Sequence, residues 1–216
     1  MAKKFNIPSY KSLDKIKRKK AAFHIAERIL IVCEGEKTEP LYFEELARTL
    51  GILTLDINGE CGASPISVAN YGIKKFNDDK DYQYVFFVFD RDSHSTYDQA
   101  IEKIKNYKNK KYKNIFYIIT SFPSFEYWLL LHCEDTNKPY DLNNPHKTPS
   151  QFLLSDLKKH AEFKSYKKND NSYYENIKDF VDTASDRAEK NYNKPKIQER
   201  SSITKTHLLE YTKYTK

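Results

Sequence analysis

Four acidic residues, Glu34, Asp90, Asp92 and Glu126, stand at the places in this sequence where carboxylates could do chemistry. Glu34 follows directly on the apolar run ILIVC at residues 29–33. Asp90 and Asp92 end a second apolar run, in FVFDRDSH at residues 87–94. Alternate residues of an extended segment face the same way, so Asp90 and Asp92 are expected to converge on one point. Two aspartates held that close repel unless one is protonated or a cation lies between them. A hard divalent ion is the economical solution, and Mg²⁺ takes one or two protein carboxylates together with waters and phosphate oxygens. Glu34, at the end of another strand, suits either a metal-binding or a proton-transfer role. Glu126 opens the apolar stretch EYWLLLHC, where an acid also has a helix-dipole reason to exist.

The elements that position these acids are legible as an alternation. Residues 29–33 show no polar alternation and read as a strand buried on both faces. TEPLYFEELARTLG then reads as a helix, with Thr38 as cap, Pro40 in the first turn and Gly51 as its stop. Residues 52–57 form a second expected strand. Ser64 caps a second helix, with Pro65 at its first position. Aromatic and β-branched residues 84–89 make a third strand, residues 96–107 an amphipathic helix, 114–121 a fourth strand, and 124–133 a strongly apolar helix. This order predicts an α/β fold with a mainly parallel four-stranded sheet flanked by helices on both faces. After a polar loop at 134–150, residues 149–161, 171–192 and 203–214 read as helices. The expected organisation is a basic arm at 1–22, an α/β core at 23–133 and a helical extension at 134–216 packed on that core.

Composition bounds the rest. The 216 residues are 39% hydrophobic with 13 Phe and 17 Tyr, enough for a sizeable core. No apolar run reaches the roughly 20 residues of a membrane span, and the N-terminus has no signal-like apolar region. Cys33, Cys61 and Cys133 form no CxxC pair, and two of them lie in apolar elements, which favours reduced thiols and a cytoplasmic protein. No His/Cys arrangement has zinc spacing along the chain, so a hard metal is expected over zinc. The formal charge of +7 belongs to the first 20 residues, which carry eight Lys/Arg against Asp14 alone. Such an arm suits nucleic-acid phosphates, or is simply a solvated terminus. KNYKNKKYKN and KSYKKND interleave tyrosine with lysine, which reads as a base-stacking surface or as exposed helix ends. Lys37 could meet a phosphate and His94 could assist proton transfer. Glu36 and Glu39 read as loop and first-turn residues, and His132 as a satisfied core histidine. A GxxxxGK[ST] loop is missing, so P-loop nucleotide binding has no support. The DxD run loosely resembles a phosphatase nucleophile loop, but that loop follows the first strand of its sheet and here the strand ending in Glu34 precedes it.

Glu34-Gly35 after the first strand and Asp90-x-Asp92 after a later one resemble the Toprim fold of topoisomerases, primases and the overcoming-lysogenization-defect nucleases. More closely, ILIVCEGEKTEPLYFEEL, FVFDRD and SFPSFEYWLLLH resemble the motifs of the RloB-like (abortive-infection AbiLii-like) family over about residues 25–212. Phe122 stands where that family has asparagine, and Arg200 where its C-terminal motif has proline. Asp92 is followed by Ser93 and His94, not by the third acid of broader Toprim enzymes, and Glu126 is the candidate to stand in for it. The resemblance implies a Toprim-like, Rossmann-like core in which Glu34 is the general acid/base, while Asp90 and Asp92, with Glu126, hold Mg²⁺ or Mn²⁺. It implies a nuclease of an anti-phage or abortive-infection system, acting on nucleic acid, DNA ahead of RNA, with a partner ATPase encoded nearby. Among 17 tyrosines none stands out as a covalent nucleophile, and no gate domain is present, so hydrolysis is expected over strand passage. The alternative expectation is a non-catalytic subunit that binds nucleic acid or the ATPase.

Overall fold

A computed structural model describes residues 27–91, 95–107, 112, 115–140, 146–193 and 203–204. The basic arm at 1–22, Asp92, His94 and most of the lysines of KNYKNKKYKN lie outside these residues. Four strands, β1 (Arg28–Cys33), β2 (Leu55–Asn58), β3 (Tyr82–Asp90) and β4 (Phe116–Phe122), form an all-parallel sheet in the order β2-β1-β3-β4. Helices α1 (Thr38–Leu50), α2 (Pro65–Asp78), α3 (Tyr97–Tyr107) and α4 (Glu126–Cys133) alternate with the strands. The α/β alternation expected from the sequence is therefore present.

Strand parity sorts the core into two layers. Ile29, Ile31 and Cys33 of β1 and Phe86 and Val88 of β3 join one apolar cluster, with Tyr42, Phe43 and Leu46 of α1 and most of α4. Leu30 and Val32, together with Val85, Phe87 and Phe89, join the other, under α2 and α3. A strand feeding both layers has no polar alternation, which is why the runs in β1 and β3 are continuous. Asp90 carries on the parity of Phe86 and Val88, toward the layer of α1 and α4. Helix α4 is buried from Glu126 to His132, because the sheet covers one side and the C-terminal segment the other. His132 Nδ1 donates to the Trp128 carbonyl at 3.0 Å, its Nε2 accepts from the Tyr42 hydroxyl at 3.2 Å, and burial lowers its pKa to about 4. It is a core histidine held neutral.

The C-terminal segment contains α5 (Pro149–Leu157), a 3₁₀ turn at Ala161–Phe163, the short α6 (Tyr174–Ile177), a second 3₁₀ turn at Lys178–Phe180 and α7 (Val181–Asn193). Leu153, Leu157, Phe163, Tyr166, Tyr173, Ile177 and Ala184 belong to the same apolar cluster as α4. Arg187 donates to the Leu131 carbonyl at 2.6 Å, satisfying an acceptor in the last turn of α4. Among the described residues no helix is long and apolar enough to cross a membrane.

Several boundaries differ from expectation, each for a local reason. Strand β2 begins at Leu55 because the amides of Gly51 and Ile52 close α1 on the carbonyls of Arg48 and Ala47, with Gly51 at φ 69°. The helix expected over 171–192 starts at Tyr174, since the Asp170 carboxylate accepts from both the amide and the hydroxyl of Ser172 and holds a turn there. The helix expected over 203–214 is contradicted at its start. Ile203–Thr204 is a short strand, β5, antiparallel to β4 at Phe122 and Ser121. β-Branched residues suit pairing with an open sheet edge. Residues 205–214 lie outside the described residues.

Gly72 in α2 gives a test of the second layer. A Cβ there would stand 2.4 Å from Cε1 of the buried Phe87 ring. Gly72→Ala is expected to cost about 1–3 kcal/mol by urea unfolding, the range for overpacking a core. A gain of about 1 kcal/mol, as at an exposed helical glycine, would show that α2 does not pack as described.

Candidate functional site

The acids gather where the sheet's parallel strands end. The Glu34 amide donates to the Val88 carbonyl at 2.9 Å, extending the β1–β3 ladder one residue past Cys33. The Asp90 amide in turn donates to Glu34 Oε2 at 3.1 Å. Adjacent strands are thereby locked together at the level of their two acids. This edge of a parallel sheet, at the carboxyl ends of its strands, is where open α/β folds place ligands.

Helix α1 adds an acid that the sequence reading placed in an ordinary first turn. Glu39 is only 6% exposed, and its carboxylate lies against the Gly35 α-carbon, where an added Cβ would sit 2.1 Å from Oε2. A side chain at position 35 would displace the Glu39 carboxylate from this place. Thr38 does not cap the helix as expected; Lys37 occupies that position without a side-chain bond. The Thr38 hydroxyl instead donates to the Lys168 carbonyl at 2.9 Å, tying α1 to the C-terminal segment.

Glu126, the first residue of α4, is the most firmly held acid. Ser124 Oγ donates to Oε2 at 2.6 Å, Tyr166 OH donates to Oε1 at 3.2 Å, and Lys168 Nζ lies 3.3 Å from Oε1. The KSYKKND segment is therefore not a stacking surface at its tyrosine, because Tyr166 is buried with its hydroxyl on Glu126. Tyr107 and Tyr112 of KNYKNKKYKN likewise pack on the second layer, beside Phe116.

These groups feel one another. Burial raises the Glu39 carboxyl to about 7, and the charges of Glu126 and Glu34 push the same way while Lys168 opposes them. Burial, then Glu39, Glu126 and Glu34, hold Asp90 well above the usual carboxylate range. Glu126 raises the Lys168 ammonium in return. Lys168 thus opposes the charges of Glu126, Asp90 and Glu39 within this group of four carboxylates. Among the described residues they do not bring three oxygens within 4.8 Å of one another. Like charges hold apart, and Lys168 already answers Glu126. The donor set is all carboxylate oxygen, which suits Mg²⁺ or Mn²⁺ and not a thiophilic metal.

The structure brings Glu34, Asp90 and Glu126 to one edge of the sheet and places Glu39 and Lys168 beside them. Asp92 and His94 lie outside the described residues, and Lys37 and Glu36 are exposed in the loop before α1. Glu39 stands five residues after Glu34, but nothing in the sequence marks it as buried. Lys168 had no signal, since only folding brings it 42 positions back to Glu126. Folding also brings together ligating side chains that are distant along the chain. Cys133, His160 and Glu162 each bring a ligand atom within 4.8 Å of the others. Their distance along the chain hid that grouping from any spacing rule.

The raised carboxyls have a stability consequence. A group whose folded pKa lies above its unfolded value stabilises the fold below the unfolded value, and that contribution is lost as pH rises through the folded one. For Glu39 the window runs from about pH 4.5 to about 7. Glu39→Gln is therefore expected to be more stable than wild type at pH 8 in chelator, by about 1–3 kcal/mol. The advantage should shrink toward pH 5, and Asp90→Asn should behave in the same direction. Thermal melts at both pH values check this; variants no more stable than wild type at pH 8 would contradict it.

The comparisons with known proteins agree with the motifs. No curated protein and no solved structure matches the chain. The family model for RloB-like protein matches residues 29–210, which spans every element that contributes to the acidic site. The chain belongs to the RloB-like family.

Proposed function

We propose that this protein is a Mg²⁺-dependent phosphodiesterase that hydrolyses nucleic acid, DNA ahead of RNA, within an anti-phage or abortive-infection system that includes a partner ATPase. The observation that carries the reading is the meeting of Glu34, Asp90, Glu126 and Glu39 at the carboxyl edge of the parallel sheet. Family membership is consistent with it, since the match over residues 29–210 includes all four acids. Asp90, with Asp92, Glu126 and Mn²⁺ or Mg²⁺, forms the metal-holding set of this reading. A bound divalent ion would polarise the scissile phosphate and stabilise the charge developing on it.

The chain's own groups do the remaining work. Glu34, fixed by the Asp90 amide, takes a proton from the attacking water or returns one to the leaving oxygen. Glu126, already oriented by Ser124 and Tyr166, retains acceptor capacity, since a carboxylate offers about four lone-pair sites. Lys168 places a solvent-exposed positive charge beside Glu126, where it can meet a phosphate as a point charge.

Cleavage of supercoiled plasmid, single-stranded DNA and RNA tests the proposal, with Mg²⁺ or Mn²⁺ and with and without the neighbouring ATPase. Glu34→Gln and Asp90→Asn are each expected to lower cleavage by about 10²–10⁴-fold with folding intact. No cleavage under any condition, or activity indifferent to both substitutions, would overturn it and leave a binding subunit as the function.

A further inference from the structure

A second cluster of ligating groups lies at the opposite end of α4 from Glu126. Cys133 is the last residue of that helix, and His160 and Glu162 flank the start of the 3₁₀ turn after α5. We propose that Cys133, His160 and Glu162 form a zinc site that clamps the C-terminal segment to α4. This proposal does not depend on the nuclease reading.

Three observations carry it. One thiol, one imidazole and one carboxylate place their ligand atoms within 4.8 Å of one another, and all three side chains are partly accessible, so an ion can enter. Zinc accepts this mixed sulfur, nitrogen and oxygen set, and three protein ligands leave a fourth position for water. The distances also suit a tetrahedron. Cys133 Sγ lies 3.7 Å from Glu162 Oε2. A thiolate at about 2.3 Å and a carboxylate oxygen at about 2.1 Å from one zinc ion would be about 3.6 Å apart. An ion would therefore need little movement of this pair. Finally, Glu134 Oε2 lies 3.3 Å from His160 Nε2. A carboxylate beside the ring is the usual outer support of a metal-bound histidine.

The site would act as a positioning device. His160 and Glu162 are followed by Tyr166 and Lys168, which reach Glu126 at the other end of α4. Fixing the chain at Cys133 would hold that return path in register with the helix.

Cobalt titration of the full chain, purified in chelator and then freed of it, reads the site directly. The expected result is one Co²⁺ per chain with thiolate-to-cobalt charge transfer and tetrahedral visible bands, displaced by Zn²⁺ and untouched by Mg²⁺. Cys133→Ser should abolish the charge transfer, Glu134→Gln should weaken binding about 10–100-fold, and Cys61→Ser should leave the spectrum unchanged. Wild-type protein without charge transfer would show a thiol–carboxylate contact only and overturn the proposal. So would charge transfer that survives Cys133→Ser, or a cobalt spectrum that His160→Ala leaves unaltered. Cobalt held by the acidic cluster gives no thiolate band, so failure here is distinct from failure of the nuclease reading.

Discussion

The close approach of carboxylates at one edge of the sheet is the constraint on which the site depends. Burial and the charges of Glu34 and Glu126 raise the carboxyls of Glu39 and Asp90, and among the described residues Lys168 opposes them. Such a group is stable only if the surrounding structure gives it no room to spread. The β1–β3 ladder fixes Glu34 against the Asp90 amide, Gly35 lets Glu39 approach, and Ser124 with Tyr166 pins Glu126. Local destabilisation of this kind is a familiar property of functional sites, where a cation or substrate relieves it.

The same constraint explains why the C-terminal segment is inseparable from the site. Tyr166 and Lys168 come from that segment, and Thr38 of α1 is bonded to the Lys168 carbonyl. Its apolar residues share one cluster with the sheet and α4. Helix α4 can be apolar all round because this second cover exists. The sheet supplies the acids, and the covering segment supplies the hydroxyl and ammonium that temper them.

What could be read from the chain follows from physics that is local in sequence. Continuous apolar runs ending in Glu34 and Asp90 fixed both strands and their acids, because a strand feeding two layers has no polar face. Ser64 and Pro65 announced the start of α2 for similarly local reasons, and Ser64 does accept from the Ser67 amide. Thr38 misled because its hydroxyl has a better partner far away in Lys168. Glu39 was visible as a residue but not as a buried one, since burial depends on what covers it. Lys168 and the Cys133, His160 and Glu162 grouping lay beyond any spacing rule, as their partners arrive only when α4 is enclosed. The strand at Ile203–Thr204 was lost to a helical reading because two β-branched residues are too few to signal a strand without the β4 edge they pair with.

The central claim is that the acids at the sheet edge hold a divalent cation. Titration of the full chain with Mn²⁺, followed by the loss of free-ion electron paramagnetic resonance signal, tests it without requiring a substrate or the ATPase. Saturable Mn²⁺ binding that Mg²⁺ displaces and that Asp90→Asn weakens at least tenfold, the folded state being unchanged, is the predicted result. Wild-type protein that leaves the free-ion signal intact, or binding that Asp90→Asn and Glu34→Gln both leave unaltered, would contradict the account.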